Sequence, residues 1–425
     1  MIFSLFIIFF NRGFFSFTSL FLVISLLGVL IYLYLKPERP DNENDTNALF
    51  LLVLVSYILF LYTPSGIYQS RLVPAMLINF LSLIFFPVLV MLIFSNKQIM
   101  RKRIYFLFLI LAGVLRILII ISSPNPSIDV FTILKEAPIK LLNGINPYTS
   151  IYSQVYPGVT TDYYPYFPYS FLIELPWILI FKDPRILLSI SDVLAAFLIY
   201  LIGRKSYFSE LLSLIYLFRP HSLFIIEQSW LTPLLFLLTE LLIIALVHSK
   251  NRLIGIILAL ISGIQPLFLI YLPITFSLWK RKLTTFYYFI FFLAAAVLPF
   301  FIWQPQSFID RSISVYFKPL SEIKTIPVHL SLNINTAIFI LTGRDLPSLL
   351  TLAVIFSVFG ILFLQAYKNL PKKHERQIIR FLLLGVIFFY FFYLLFRQSF
   401  INYYYYAGSI LILWLALKNR DSGYE

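Results

Sequence analysis

The sequence predicts an all-α integral membrane protein, a polytopic bundle of about 11–13 transmembrane helices. Hydrophobic residues make up 60% of its 425 residues and charged residues only 12%, whereas roughly 25% of a soluble domain is charged. The apolar residues form long runs, such as 14–35, 72–94 and 283–302. About 20 apolar residues span the hydrocarbon core as a helix, and hydrocarbon offers no water to an unpaired backbone, so these runs must be helical.

Short basic clusters between the apolar runs predict the topology. They lie at 97–103, 280–282 and 367–380 and after 418. Because cytoplasmic loops are rich in Lys and Arg, we place all of them in the cytoplasm. The crossings that precede the first cluster are about 14–35, 48–62 and 72–94. This number of crossings puts the N-terminus outside, and the crossing at 104–121 then leads to an external loop at 122–165.

Two layouts fit the segment 166–279. In the first, 166–181 and 186–202 both cross, which puts Arg204, Lys205, Lys250 and Arg252 outside. In the second, 166–181 lies beside the membrane and 253–279 folds into two passes around Pro266. The second keeps every basic loop in the cytoplasm, so we prefer it. The later crossings are 283–302, about 332–366, 381–396 and 404–418.

Composition also limits the function classes. The net charge of +14 lies in the short loops, so membrane lipids and not nucleic acid are the expected partners. The absence of cysteine excludes disulfides and thiol catalysis. The four histidines lack metal-site spacing, so no metal ligands are predicted. The first residues lack a basic region and a cleavage site, so we expect them to belong to the mature protein.

The external loop at 122–165 carries the chemistry. Asp129 follows the end of a predicted crossing, and residues 131–142 have the amphipathic pattern of a helix lying in the membrane interface. Gly144 and the Asn146-Pro147-Tyr148 turn are expected to end that helix. The tyrosine-rich run at 163–169 is typical of an interfacial aromatic belt.

Two interpretations of Asp129 remain open from the residues alone. A carboxylate at the membrane surface can act as a general base that reaches both a lipid-linked phosphate and a water-soluble acceptor. Alternatively, Asp129 caps the helix that follows it.

The loop sequence SIDVFTILKEAPIKLLNGINPYT, followed by YYPYFPYS, resembles the first outer loop of the GT-C superfamily. These are multi-pass glycosyltransferases that take sugars from polyprenyl-phosphate donors. The resemblance is closest in style to the lipid-phosphate-mannose-dependent mannosyltransferases, including the first mannosyltransferase of GPI-anchor synthesis. Their loop contains an aspartate, an amphipathic helix, a G-x-x-PY motif and then tyrosines and prolines before the next helix.

Four later segments resemble the superfamily in the same order. They are SISDVLAAFLIYLI with Asp192, RPHSLFIIEQSWLTPLL, the glycine-containing pass that ends at Gln265-Pro266, and RQSFINYYYYAGSILILWLAL. The resemblance covers roughly 104–418 and therefore divides the chain. It implies a GT-C-like core at 104–425, with 122–165 as its catalytic loop, and an N-terminal extension of about three helices at 1–103. Ser127 and Gln265 depart from the acid and the lysine that relatives carry, and no acid follows Gln228.

The resemblance implies a glycosyltransferase in the cell membrane with its active site on the extracytoplasmic side. It would move a hexose, mannose in the first instance, from a polyprenyl-phosphate donor to a glycan, glycolipid or protein acceptor. Asp129 would be the base in an inverting reaction, and no cofactor is assigned beyond an open question of a divalent metal. The residues expected to bind substrate are Arg397, Glu227, Gln228, Asp162, Tyr404 and His329. Further cations expected on the outer side are Arg311, Lys318, Lys324 and Arg344.

Asp192 is expected to be a structural polar residue with a partner inside the membrane, because an unpaired carboxylate there is costly. Two other functions are weighed against the enzyme. One is a transporter or flippase of a lipid-linked sugar, which would need alternating arrangements and usually repeated halves. The other is a protein that kept the GT-C fold and lost activity.

Overall fold

The computed structural model describes residues 1–11, 15–36, 45–95, 97–314, 331–344, 346–397 and 399–422. Of these described residues, 76% are helical and none lies in a strand. Among these residues, seven helices are long and apolar enough to cross a membrane, and six further apolar helices have 10–17 residues. The predicted class, a multi-pass helical membrane protein, is therefore confirmed, while the count of about 11–13 crossings stays a prediction.

The helices follow one another in chain order. The first ten are α1 (Ile2–Asn11), α2 (Phe17–Leu35), α3 (Asp45–Tyr62), α4 (Leu72–Phe94), α5 (Gln98–Ser122), α6 (Asp129–Leu142), α7 (Tyr169–Phe181), α8 (Arg185–Ile202), α9 (Tyr207–Leu217) and α10 (Ser222–Glu227). Next come α11 (Thr232–Val247), α12 (Asn251–Ser262), a 3₁₀ turn (Pro266–Ile270), α13 (Tyr271–Phe276), α14 (Lys282–Trp303) and α15 (Pro305–Ser312). The last are α16 (Ile334–Thr342), α17 (Ser348–Lys368), α18 (His374–Leu395) and α19 (Ile401–Ser422).

One end of the bundle, which we call the loop end, carries the 122–168 loop. Ser70 N donates to Ser122 O over 2.8 Å, so the α3–α4 connection lies beside the end of α5. Arg185 Nη1 donates to Ser123 O over 2.7 Å, so α8 begins at this end. Leu332 N donates to Ser399 O over 2.9 Å, which brings the segment before α16 to the α18–α19 connection.

The opposite end, which we call the basic end, gathers the basic loops. Tyr207, just after Arg204 and Lys205, donates its hydroxyl to Ile93 O over 3.0 Å. The Arg101 guanidinium lies 4.0 Å from the centroid of the Tyr207 ring. The loops at 249–252 and 280–282 also meet each other, because Arg281 N donates to Asn251 Oδ1 over 3.0 Å.

In the segment 166–279, the structure agrees with the preferred layout on the side of the Arg204–Lys205 loop, while the crossings within this segment stay a prediction. The 13 residues of α7 span about 20 Å as a helix, less than the ~30 Å of the hydrocarbon core. Since α8 starts at the loop end and α9 at the basic end, Arg204 and Lys205 lie with the other basic loops. Gly263, after α12, accepts from Tyr169 N over 2.9 Å, and the chain then turns back through Pro266.

Two sequence expectations need correction. The run at about 332–366 is not one continuous helix, because α16 ends at Gly343, whose φ of +68° is left-handed, and α17 begins after Pro347. The tyrosines at 163–169 do not form a simple interfacial belt. Tyr164 is fully buried and packs edge-to-face on Phe171, with 5.4 Å between the ring centroids.

A buried ion pair joins α5 to α8 inside the bundle. Arg116 Nε donates to Asp192 Oδ2 over 2.7 Å, and the Tyr216 hydroxyl donates to Asp192 Oδ1 over 2.5 Å. Arg116 is 0% exposed and Asp192 1%. Nη1 and Nη2 of Arg116 also donate to the carbonyls of Ala112 and Leu217, so the charges are compensated within the protein.

We expect Asp192→Leu to lower the free energy of unfolding by about 3–5 kcal/mol, because it leaves the Arg116 charge buried without a counter-charge. The double variant Arg116→Leu/Asp192→Leu should recover most of that loss. The free energy of unfolding of both variants is measured in detergent micelles. The control is Glu375→Gln, which breaks the partly exposed 2.8 Å pair with Arg420 and should cost no more than about 1 kcal/mol. Equal losses for Asp192→Leu and Glu375→Gln would contradict the structural role of the buried pair.

Candidate functional site

Asp129 lies at the start of the loop-end helix α6. Ile128 is in the N-cap position without a side-chain capping bond, and Asp129 is the first helical residue. Asp129 Oδ1 accepts from Val130 N over 2.9 Å, and Oδ2 accepts from the Tyr163 hydroxyl over 2.5 Å. Asp129 is therefore not the N-cap residue, although its carboxylate lies at the positive end of the helix dipole.

The surroundings of Asp129 change its acidity. Burial raises the pKa of its carboxyl above the ordinary value, since a charged group loses hydration there. Hydrogen bonds from the Tyr163 hydroxyl, the Val130 N–H and the Tyr156 hydroxyl oppose this rise in pKa by favouring the charged form. The net result is a carboxylate that is more basic than a solvent-exposed aspartate, as a general base requires.

The charge of Asp129 acts on tyrosines from two parts of the chain. Burial raises the pKa of the Tyr68, Tyr156 and Tyr166 hydroxyls, and the negative charge of Asp129 raises it further in each case. Tyr156 and Tyr166 belong to the same loop as Asp129, whereas Tyr68 comes from the α3–α4 connection. Nothing in the local sequence around Tyr68 marks it as a site residue, and only the packing of the α3–α4 connection against the loop reveals it.

Glu227 anchors the α3–α4 connection. Its carboxylate accepts from Ile67 N over 2.7 Å, from Tyr68 N over 2.9 Å and from the Ser123 hydroxyl over 2.6 Å. A Cβ atom on Gly66 would lie 2.2 Å from Glu227 Oε1, so a glycine is required for this close approach. Glu227 thus ties together the chain before α4 and the chain after α5.

The structure gives Glu227 a different environment from the substrate contact expected from sequence. It is 0% exposed, and both of its carboxylate oxygens accept hydrogen bonds from the protein. The side chain of Gln228, which is 3% exposed, donates to Glu227 Oε2 over 3.2 Å. A substrate could contact either residue only after the α3–α4 connection moves.

Arg185 is a loop-end cation that the sequence reasoning missed. It is fully buried, forms an ion pair with Asp183 at 2.6 Å and lies with its guanidinium 4.9 Å from the centroid of the Phe131 ring in α6. Together with its bond to Ser123 O, these contacts place it beside the Asp129 loop. The Asp183-Pro184-Arg185 sequence at the start of α8 was the available signal, because Asp183 and Arg185 flank a helix-initiating proline.

The other predicted substrate residues have separate surroundings. Arg397 Nη2 donates to Leu346 O over 2.9 Å, and the Tyr404 hydroxyl, which is buried, donates to Leu332 O over 2.5 Å. Asp162 is exposed at the loop surface. His329 lies outside the described residues, as do Lys318 and Lys324.

Of the other two cations expected on the outer side, one is a loop contact and one is exposed. Arg311 Nη1 donates to Ser150 O over 2.6 Å and so fastens α15 to the 122–168 loop. Arg344 is exposed and follows α16.

A cavity of about 600 Å³ lies next to the α3–α4 connection. Its polar lining comes from hydroxyl, amide and imidazole groups, and its apolar lining from α3, α4 and α10. The polar residues are Thr63, Ser65, Gln69, Asn79, Ser82, His221 and Ser222. In the described part of the chain, no group of three or more His, Asp or Glu residues could hold a metal ion.

Comparison with known proteins does not assign this site. No family model matches the chain, and no curated protein matches it.

We expect Glu227→Ala to loosen the α3–α4 connection, because the Ile67 and Tyr68 N–H groups lose a charged acceptor. Amide hydrogen exchange in a peptide covering 63–71 should become roughly ten- to a hundredfold faster. The matched control is Glu136→Ala, since Glu136 accepts one backbone N–H, that of Ser153, in an exposed setting at 3.3 Å. Unchanged exchange at 63–71 in Glu227→Ala would show that this carboxylate does not hold the connection.

Proposed function

We propose that this protein is a membrane glycosyltransferase that moves a hexose from a polyprenyl-phosphate donor to an acceptor at the loop end. The observation that supports this most directly is the environment of Asp129. A buried carboxylate with a raised pKa begins a short surface helix, α6, and is bounded by tyrosine hydroxyls. Such a group can hold an acceptor hydroxyl and remove its proton beside the membrane.

The proposed reaction has one bond-forming and one bond-breaking event. The Asp129 carboxylate takes the proton of an acceptor hydroxyl, and the acceptor oxygen forms a bond to the anomeric carbon of the donor sugar. The bond from that carbon to the phosphate oxygen breaks on the opposite face, so the configuration inverts and polyprenyl phosphate leaves with the bonding electrons. Most of the rate gain would come from alignment of the two bound substrates.

A phosphate leaving group calls for cations nearby. Arg397 is the cation proposed from sequence, and its guanidinium fork can bind a phosphate with two hydrogen bonds. Arg185 is a second candidate because it lies beside Phe131 of α6. The ion pair with Asp183 offsets its charge, so Arg185 is better suited to orient the loop than to bind a dianion by itself.

In this proposal, the loop end and the basic end lie on opposite faces of the membrane. Because basic loops favour the cytoplasm, the basic end would be cytoplasmic and Asp129 extracytoplasmic. The GT-C fold, with about 11–13 crossings that include the shorter helices, belongs to the same proposal. So does the division into an extension at 1–103 and a core at 104–425. The bond of the Tyr68 N–H to Glu227 would then place the extension next to the active site.

A second candidate is a transporter or flippase of a lipid-linked sugar. The cavity of about 600 Å³ favours it, since polar groups line a space next to apolar helices. The closed Arg116–Asp192–Tyr216 network disfavours it, because a path through the bundle needs polar groups that remain accessible. Movement of a labelled polyprenyl-phosphate sugar across sealed vesicles, without transfer to an acceptor, would support this candidate. A GT-C-like protein without activity would show neither transfer nor movement.

We expect Asp129→Asn to reduce sugar transfer by about a hundredfold or more, because an amide cannot accept the proton. The assay supplies membranes with radiolabelled polyprenyl-phosphate-mannose or -glucose and follows label into lipid and protein acceptors. The matched control is Glu136→Gln, which removes the charge of another acid of α6 in an exposed setting and should retain activity. Transfer that persists in Asp129→Asn at equal protein levels would remove Asp129 from the mechanism.

We expect Tyr163→Phe to shift the acidic limb of the pH–rate profile to higher pH. The Tyr163 hydroxyl favours the charged form of Asp129, so its loss should raise the pKa of that carboxyl further. Since the base must be deprotonated, activity would then disappear at a higher pH than in the unmodified protein. The profile of kcat/KM against pH tests this. A shift to lower pH, or none in an active variant, would contradict the proposed coupling.

A further inference from the structure

A second feature lies at the basic end, away from the Asp129 site. The loops before α12 and before α14 line a cavity of about 740 Å³. Each loop contributes two cations to the lining, Lys250 and Arg252 from the first and Lys280 and Arg281 from the second. All four side chains are exposed. In the described part of the chain, none of them forms an ion pair with a carboxylate, and no acidic residue lines the cavity.

The side chain of Asn251 holds the two loops together. Asn251 Oδ1 accepts from Arg281 N over 3.0 Å, and Asn251 Nδ2 donates to Ser249 O over 3.1 Å. Gly255 permits close packing of α12 on α14, because a Cβ atom there would lie 2.4 Å from Thr285 O. The connected loops therefore bring the four cations to one cavity.

The walls of the cavity are apolar and aromatic. Leu253 and Ile256 line it from α12, and Tyr288 lines it from α14. Arg252 lies with its guanidinium 5.8 Å from the centroid of the Tyr288 ring. Leu253 is 50% exposed, and Leu283 at the start of α14 is 87% exposed. A ligand that fits these surroundings is anionic at one end and apolar at the other.

We propose that this cavity binds the headgroup of an anionic phospholipid, with the acyl chains against Leu253 and the exposed face of α14. Charge complementarity identifies this ligand, since four cations from two loops suit a headgroup with more than one negative charge. Arg and Lys can both donate to phosphate oxygens, and basic pockets between membrane helices favour such headgroups. The inference does not depend on the proposed sugar transfer.

The test is native mass spectrometry of the full-length protein in detergent. The lipid probes are cardiolipin, phosphatidylglycerol and, as a zwitterionic reference, phosphatidylcholine. Lys250→Gln/Lys280→Gln removes one cation from each loop and should weaken cardiolipin binding about thirtyfold. The matched control, Lys102→Gln/Arg103→Gln, neutralises two cations that line a separate cavity of about 490 Å³ on α5. The control should change cardiolipin binding less than about threefold.

Two further measurements test whether the loop geometry matters and whether a free phosphate compound binds in place of the lipid. Asn251→Ala keeps all four charges but removes the bond between the loops, and it should also weaken cardiolipin binding. Inorganic pyrophosphate at equal concentration should fail to displace the lipid. Equal weakening in the two charge-neutralised variants, full binding in Asn251→Ala or displacement by pyrophosphate would each overturn the proposal. Equal thermal unfolding midpoints verify that the variants remain folded.

Discussion

The loop end depends on the hydrogen bonds that the Glu227 carboxylate accepts. It accepts hydrogen bonds from the backbone at Ile67 and Tyr68 and from the hydroxyl of Ser123, so it joins segments that are far apart in the chain. The carbonyl of the same Ser123 accepts from Arg185. The chain that leads into Asp129 is therefore fixed from two sides. A buried carboxylate is stable here because protein donors replace the water that it gives up.

The same rule applies to Arg116, Asp192 and Arg219 inside the bundle. Arg116 and Asp192 neutralise each other, and Tyr216 completes the hydrogen bonding of the carboxylate. Arg219 lies with its guanidinium 3.3 Å from the centroid of the Tyr405 ring and donates to the Ser409 hydroxyl over 2.6 Å. These contacts lie within the protein, where an unpaired charge would be most costly. They connect helices to one another.

The two ends of the bundle carry different chemistry. At the loop end, a carboxylate is surrounded by tyrosines whose hydroxyls are buried, which suits proton transfer and hydrogen bonding to an uncharged hydroxyl. At the basic end, exposed cations converge on an apolar-walled cavity, which suits contact with anionic headgroups. An enzyme that acts on lipid-linked sugars would use both features, one for the reaction and one for its position in the bilayer.

The sequence by itself determined the class of protein and the approximate position of most helices. Hydropathy runs are local, and the bilayer forces each long run into a helix, so the bounds of α2, α4, α5 and α14 follow closely from composition. The amphipathic pattern likewise placed α6, and the order of polar motifs singled out Asp129. Tertiary structure alone decided which polar groups meet. The bond from the Tyr68 N–H to Glu227 and the close approach of Gly66 to Glu227 join segments far apart in the chain, and such contacts depend on packing that no local pattern records.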